Sequence, residues 1–204
     1  MKIRQIILWL YFLPVCIYSQ NFDIRLLRSM YSQEVLPSDD FFRFTSNSEF
    51  YVIAGIPAGM IVAGLIRDDK DMLRNAVVML AGETINTGLK LGLKYTVNRD
   101  RPFMTYSDIT KKIDVGGPSF PSGHTSSAFA TATSLSLAYP KWYVIVPSYG
   151  WAGTVAYSRM HLGVHYPSDV LAGAIVGAGS AFLTYEINKK LNSKRRPKPC
   201  NCPK

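Results

Sequence analysis

Residues 118–139 read Pro-Ser-Phe-Pro-Ser-Gly-His-Thr-Ser-Ser-Ala-Phe-Ala-Thr-Ala-Thr-Ser-Leu-Ser-Leu-Ala-Tyr. The turn Pro121-Ser122-Gly123-His124 leads straight into a run of small and apolar residues, Thr125 to Tyr139, which predicts a helix suited to close contacts. Unpaired backbone N–H groups and the dipole at that helix start favour an oxyanion. Gly123 lets the backbone approach a ligand, and Ser122 adds a hydroxyl. Alone these residues are a weak signal, because Pro-Ser-Gly also simply begins helices.

Toward the C-terminus, Pro140-Lys141 makes a turn and Trp142 to Tyr157 forms the next apolar helix, with aromatic residues near its ends. Ser158-Arg159 and His165 follow, and Pro167 suits the first turn of a last helix reaching about Ile187. That proline makes one continuous helix through His165 and Asp169 unlikely to form, so His165 is expected just before the helix and Asp169 in its first turn. Gly173-xxx-Gly177 marks close helix packing.

Upstream, Leu73 to Leu93 carries Glu83, Asn86 and Lys90 in an otherwise apolar stretch, a helix with a polar stripe to hide or a wet cavity to line. Arg67 to Asp71 is a charged turn. Phe50 to Ile66 is uncharged and nearly continuous apolar sequence, long enough to span a bilayer, and Gly55, Gly59 and Gly64 in it would admit a neighbouring helix. Nothing alternates with period two, so the expected fold is all-α, a compact membrane-embedded bundle of about five to six helices.

The N-terminal residues 1–19 have a basic start and an apolar centre, the pattern of a signal peptide or of a retained N-terminal anchor helix. Residues 20–49 are expected to be a polar external segment of short helix and loop, residues 50–187 the helical domain, and residues 188–204 a basic cytoplasmic tail. Threading the spans alternately puts Met1–Arg4, Arg67–Arg74, Pro140-Lys141 and the tail on one side. The tail holds Lys189, Lys190, Lys194, Arg195, Arg196, Lys198 and Lys204, which makes that side the cytoplasm. Residues 94–124 and 158–168 then share the opposite side.

With 204 residues the chain has room for one domain. A net charge of +9 favours anionic partners. Much of it sits in the tail, and no zinc finger, RNP-like pattern or basic duplex-binding helix is present, so nucleic acid is excluded as a partner. The three cysteines, Cys16, Cys200 and Cys202, form no disulfide framework and no zinc pattern.

Lys94, Arg101 and Arg159 could supply fixed positive charge to a phosphate, arginine as a fork and lysine as a point charge. Lys111 and Lys112 read as solvated. A carboxylate holding one ring nitrogen of His165 would fix its tautomer and leave the other nitrogen to attack phosphorus, while His124 serves as acid and then base. Each alone has a bland alternative: a surface histidine, or for Asp169 a helix N-terminal residue. His161, in the same loop as His165, is expected to line the pocket or hydrogen-bond.

Taken together, Lys94-x6-Arg101-Pro102, Pro121-Ser122-Gly123-His124 and Ser158-Arg159-x5-His165-x3-Asp169 closely resemble the signature of the type 2 phosphatidic acid phosphatase superfamily, which includes bacterial acid phosphatases and vanadium haloperoxidases. The resemblance covers roughly residues 50–187. It implies a metal-independent phosphatase with no cofactor, in which His165 is the nucleophile, His124 the general acid and Asp169 the residue that orients His165. Lys94, Arg101, Ser122, Gly123 and Arg159 would hold the phosphate. The expected substrate is a phosphorylated lipid, among them undecaprenyl diphosphate, phosphatidylglycerol phosphate, a lipid A phosphate and phosphatidate, met in the bacterial inner membrane at its periplasmic face. Weighed against this are a soluble secreted acid phosphatase, a vanadate-dependent oxidase, and a non-enzymatic membrane protein that binds anionic lipid.

Overall fold

The computed structural model describes residues 21–195. The expected signal or anchor segment, all three cysteines and the end of the basic tail lie outside the described residues. A helix over residues 21–30 (α1) is followed by Ser38–Ile66 (α2), Lys70–Val97 (α3), the single turn Pro102–Thr105 (α4), Gly123–Ala138 (α5), Trp142–His161 (α6) and Pro167–Arg195 (α7). Among the described residues there is no strand. The all-α expectation holds, with five long helices forming the bundle.

Local chemistry sets the helix ends. The Asp69 side chain accepts from the backbone N–H groups of Asp71 (3.0 Å) and Met72 (2.9 Å), which starts α3. Asn98, in the left-handed region at φ 46°, ends it. Pro167 opens α7, as its position suggested, and α7 continues past Ile187 into the first residues of the basic tail. α2 begins at Ser38, well before the apolar run at Phe50, so the first long helix extends beyond the stretch expected to cross the bilayer.

The innermost contact is between α5 and α7, with α6 and α3 packed around them. It depends on the two glycines of α7. A methyl at Gly173 would press on the Ser122 carbonyl and the Thr125 side chain, and one at Gly177 would overlap the Ser126 carbonyl. Gly55 and Gly59 of α2 differ: among the described residues nothing lies against either, and of the three only Gly64 meets a neighbour, Leu73. Ala128, Ala132, Ala152 and Val155 fill the α5–α6 interface with Phe129, Tyr149 and Trp151 around them. A second cluster, Ile24, Leu27, Ile109 and Tyr166, seats α1 over the end of the bundle where α5 and α7 begin.

Outward faces are apolar. Phe50, Tyr51, Leu65 and Ile66 of α2 are exposed, as are Leu171, Ile175, Phe182 and Leu183 of α7. So much apolar side chain on the outside of a bundle whose inside is small and polar belongs to a protein solvated by lipid. α2 and the part of α7 through Asn192 are each long and apolar enough to cross a bilayer.

Candidate active site

α3 ends, α5 begins, α6 ends and α7 begins at one end of the bundle, and the three motifs meet there. The backbone joins two of them directly, since the Ser122 N–H donates to the Asp169 carbonyl at 3.0 Å. The turn after α6 is closed at Gly163 (φ 71°), where a side chain would be strained and would press on the Thr110 carbonyl. The N–H groups of Val164 and His165 then donate back to the Arg159 carbonyl at 3.2 and 3.3 Å, which fixes His165 relative to that arginine.

His165 is 2% exposed and Asp169 is fully buried. The Nδ1 of His165 stands 3.6 Å from Asp169 Oδ2, with Ser119 Oγ 3.4 Å from Nδ1 and donating to the same carboxylate oxygen. On the other side of the ring, Arg101 Nη1 lies 3.2 Å from Nε2. A guanidinium can only donate, so Nε2 carries the lone pair and Nδ1 carries the proton. That tautomer leaves the outer nitrogen basic and faces the protonated one toward the carboxylate. Burial pushes the imidazole down to about 3, the charges of Arg159 and Arg101 add to this, and Asp169 opposes it. His165 is therefore a neutral base at neutral pH.

The cations converge on the same place. Arg101 is 4% exposed and donates to the carbonyls of Gly116, Gly117 and Val164, each at 2.9 Å, which aims its plane at His165. Burial lowers its pKa. Half-buried Lys94 donates to the Pro118 carbonyl. Arg159, 1% exposed, gives Nη1 to Ser46 Oγ of α2, while its Nε has no partner. A fully buried, unpartnered arginine N–H is costly unless an acceptor arrives. Ser122 caps no N–H with its side chain; its hydroxyl pairs with Thr125 at 2.9 Å, so the first N–H groups of α5 stay free near Gly123 and His124. His124 sits within electrostatic reach of His165, Arg159, Arg101 and Lys90.

All the residues named from sequence gather here, but the reading missed several. Arg99 lies inside the Lys94-x6-Arg101 spacer and donates to Asp169 Oδ1 at 2.8 Å. Ser119 bridges His165 and Asp169. Lys112 is not solvated: its side chain is 5% exposed and ion-paired with Asp39 at 2.8 Å, because the 106–117 loop folds over the start of α2. His161 donates to Asp39 at 2.7 Å, lies tilted against the Phe42 ring and stacks with Tyr157. Glu83, Asn86 and Lys90 do form the buried stripe expected of α3. Asn86 is fully buried, Lys90 donates to Ser127 at 2.8 Å, and Glu83 and Lys90 line a cavity of about 450 Å³ between α2 and α3 with Glu49. Among the described residues no three His, Cys, Asp or Glu side chains group as a metal site.

The chain is similar to a lipid A 4'-phosphatase of Bacteroides thetaiotaomicron, 39% identical over 79 residues, which are 39% of this chain and 35% of that protein. It is also similar to an undecaprenyl-diphosphatase of Sulfolobus acidocaldarius, 39% identical over 98 residues, 46% of each chain. The chain thus aligns with less than half the length of these curated relatives. The fold superposes on the crystal structure of Aquifex aeolicus LpxE with a TM-score of 0.70 and 25% identity, covering 81% of this chain and 95% of that one. Residues 73–193, which hold every motif residue assembled above, match the model of the PAP2 superfamily, and the chain belongs to that superfamily.

Proposed function

We propose that the protein is a membrane lipid phosphatase that hydrolyses a phosphate monoester or diphosphate on a lipid through a phosphohistidine. The observation that carries this reading is a neutral buried His165, its Nε2 lone pair turned to the Arg101 guanidinium, beside a buried Arg159 whose Nε has no partner among the described residues. Anion binding alone needs cations; it does not need an imidazole held in one tautomer by a carboxylate.

In the proposed sequence, Arg101, Arg159, Lys94 and the free N–H groups of α5 hold the phosphoryl oxygens. Arg101 turns from Nε2 to the arriving phosphate. His165 Nε2 attacks phosphorus as the bond to the leaving oxygen breaks, and His124, which takes up a proton once the phosphate's negative charge offsets the burial and the cations that otherwise keep it neutral, donates that proton to the leaving oxygen. Asp169 balances the positive charge of the phosphorylated ring. His124, now neutral, takes a proton from water, whose oxygen attacks phosphorus as the P–N bond breaks and inorganic phosphate leaves.

The lipid nature of the substrate is supported by the exposed apolar faces of α2 and α7 and by the relatives named for lipid A 4'-phosphatase and undecaprenyl-diphosphatase activity. With the basic tail cytoplasmic, the site faces the periplasm of a bacterial inner membrane. The test is phosphate release by purified protein from undecaprenyl diphosphate, phosphatidylglycerol phosphate, a lipid A phosphate and phosphatidate, beside His165→Ala. Release by the wild type and none by the variant is expected. No release from any of these, or equal release by both, overturns the reading.

A further inference from the structure

α1 lies outside the residues that match the superfamily, yet one of its side chains reaches the catalytic carboxylate through a single intermediary. Asp23 is 4% exposed. Its Oδ2 accepts from Arg99 Nη2 at 2.8 Å, and Arg99 Nη1 donates to Asp169 Oδ1 at 2.8 Å. Asp23 also accepts from the Ser168 N–H at 2.8 Å and from the Ser168 hydroxyl, at the first turn of α7 beside Asp169. The Arg99 guanidinium lies over the Tyr166 ring, 3.8 Å from its centroid, which holds its plane.

Resting on the phosphatase reading above, we propose that Asp23 is a positioning residue for the reaction, holding Arg99 in a geometry that leaves Asp169 free to serve His165. A guanidinium between two carboxylates divides its donors between them. Here one nitrogen goes to each, so Asp169 spends Oδ1 on Arg99 and keeps Oδ2 for Ser119, the Tyr166 N–H and the edge of His165. Without the negative charge of Asp23, Arg99 turns both nitrogens onto Asp169 as a fork. Oδ2 is then drawn off the imidazole, and the carboxylate is neutralised just where it should offset the charge of a phosphorylated ring. Phosphate binding, which uses Arg101, Arg159 and Lys94, is left alone. The effect belongs in kcat and not in KM.

A bland alternative is that Asp23 only seats α1 and caps α7. The experiment separates the two, using full-length protein in detergent and whichever lipid phosphate the wild type turns over fastest, radiolabelled. Asp23→Asn is expected to lower kcat by about tenfold or more with KM changed less than about twofold, and to add less than about twofold in an Asp169→Asn background, because the two groups act in one chain. Arg99→Gln removes the guanidinium whose turn onto Asp169 causes the loss, so Asp23→Asn is expected to change kcat by less than about twofold in that background; Asp23→Ser, which also removes the charge, serves if Asp23→Asn fails to fold. Full kcat in folded Asp23→Asn or Asp23→Ser overturns the proposal, as does an Asp23→Asn loss that multiplies unchanged onto Asp169→Asn or onto Arg99→Gln. A wild-type protein that releases no phosphate defeats the phosphatase reading itself and this inference with it.

Discussion

The molecule contains two aspartate–histidine pairs at the same end of the bundle, and they are built to opposite ends. Asp39 and His161 meet at 2.7 Å through Nε2, with Lys112 on both carboxylate oxygens and the Leu36 N–H on one of them. Every group there is consumed. Asp169 and His165 stand 3.6 Å apart through Nδ1, loosely joined by Ser119, and His165 turns its other nitrogen to the buried Arg101. The first pair pins the start of α2 to the loop over it. The second holds a base in readiness. Both carboxylates carry a cation, Lys112 on Asp39 and Arg99 on Asp169; what separates the pairs is which ring nitrogen meets the carboxylate, and that in the second a buried guanidinium, Arg101, faces the other nitrogen.

Exchanging the fates of the two histidines gives the largest effect. His165→Ala is expected to remove turnover, a loss of at least about 10⁵-fold, as deletion of a nucleophile does. His161→Ala should keep a measurable fraction of kcat, and a phosphate-release assay that finds the reverse breaks the comparison. Next, Asp169→Asn should lower kcat by roughly 10³–10⁴-fold, since an amide cannot hold the ring tautomer or balance its charge. Asp39→Asn should leave kcat far less affected.

The remaining contrasts are smaller. The ordinary histidine value is 6.5 and that of His165 is about 3. Between those values the unfolded chain binds the proton that the folded chain refuses, so stability falls as pH drops through that window and is unaffected by this group above it. Denaturation midpoints from pH 7 to 4 should therefore slope less steeply in His165→Asn than in the wild type. Finally, Lys112→Met is expected to lower the free energy of unfolding at pH 7 by roughly 3–5 kcal/mol, because it leaves a buried partner charge uncompensated. It should barely change kcat, and an equal loss of both would mean the Asp39 cluster is part of the chemistry.

How much was legible in advance follows from sequence separation. Pro167, Asp169, Gly173 and Gly177 act over a turn or two, and their spacing placed His165 before α7 and marked α7 for close packing, while the partner, α5, shows only in the fold. Lys112 looked solvated because its partner, Asp39, lies 73 positions away. The Asp39–His161 and Asp23–Arg99 links span 122 and 76 positions, and no local pattern marks either. Gly55 and Gly59 show the reverse: their spacing suits helix contact, but among the described residues no helix lies against them. Periodicity reports that a surface is small; it does not say whether protein or lipid lies against it.

The glycine seam of α7 has a consequence for how such an enzyme can diversify. Because Gly173 and Gly177 lie against the backbone that carries Ser122 and Ser126, any larger residue there would shift α7 against α5. That seam of the bundle is closed to larger side chains. Room for change lies instead between α2 and α3, where Glu49, Glu83 and Lys90 border a hollow.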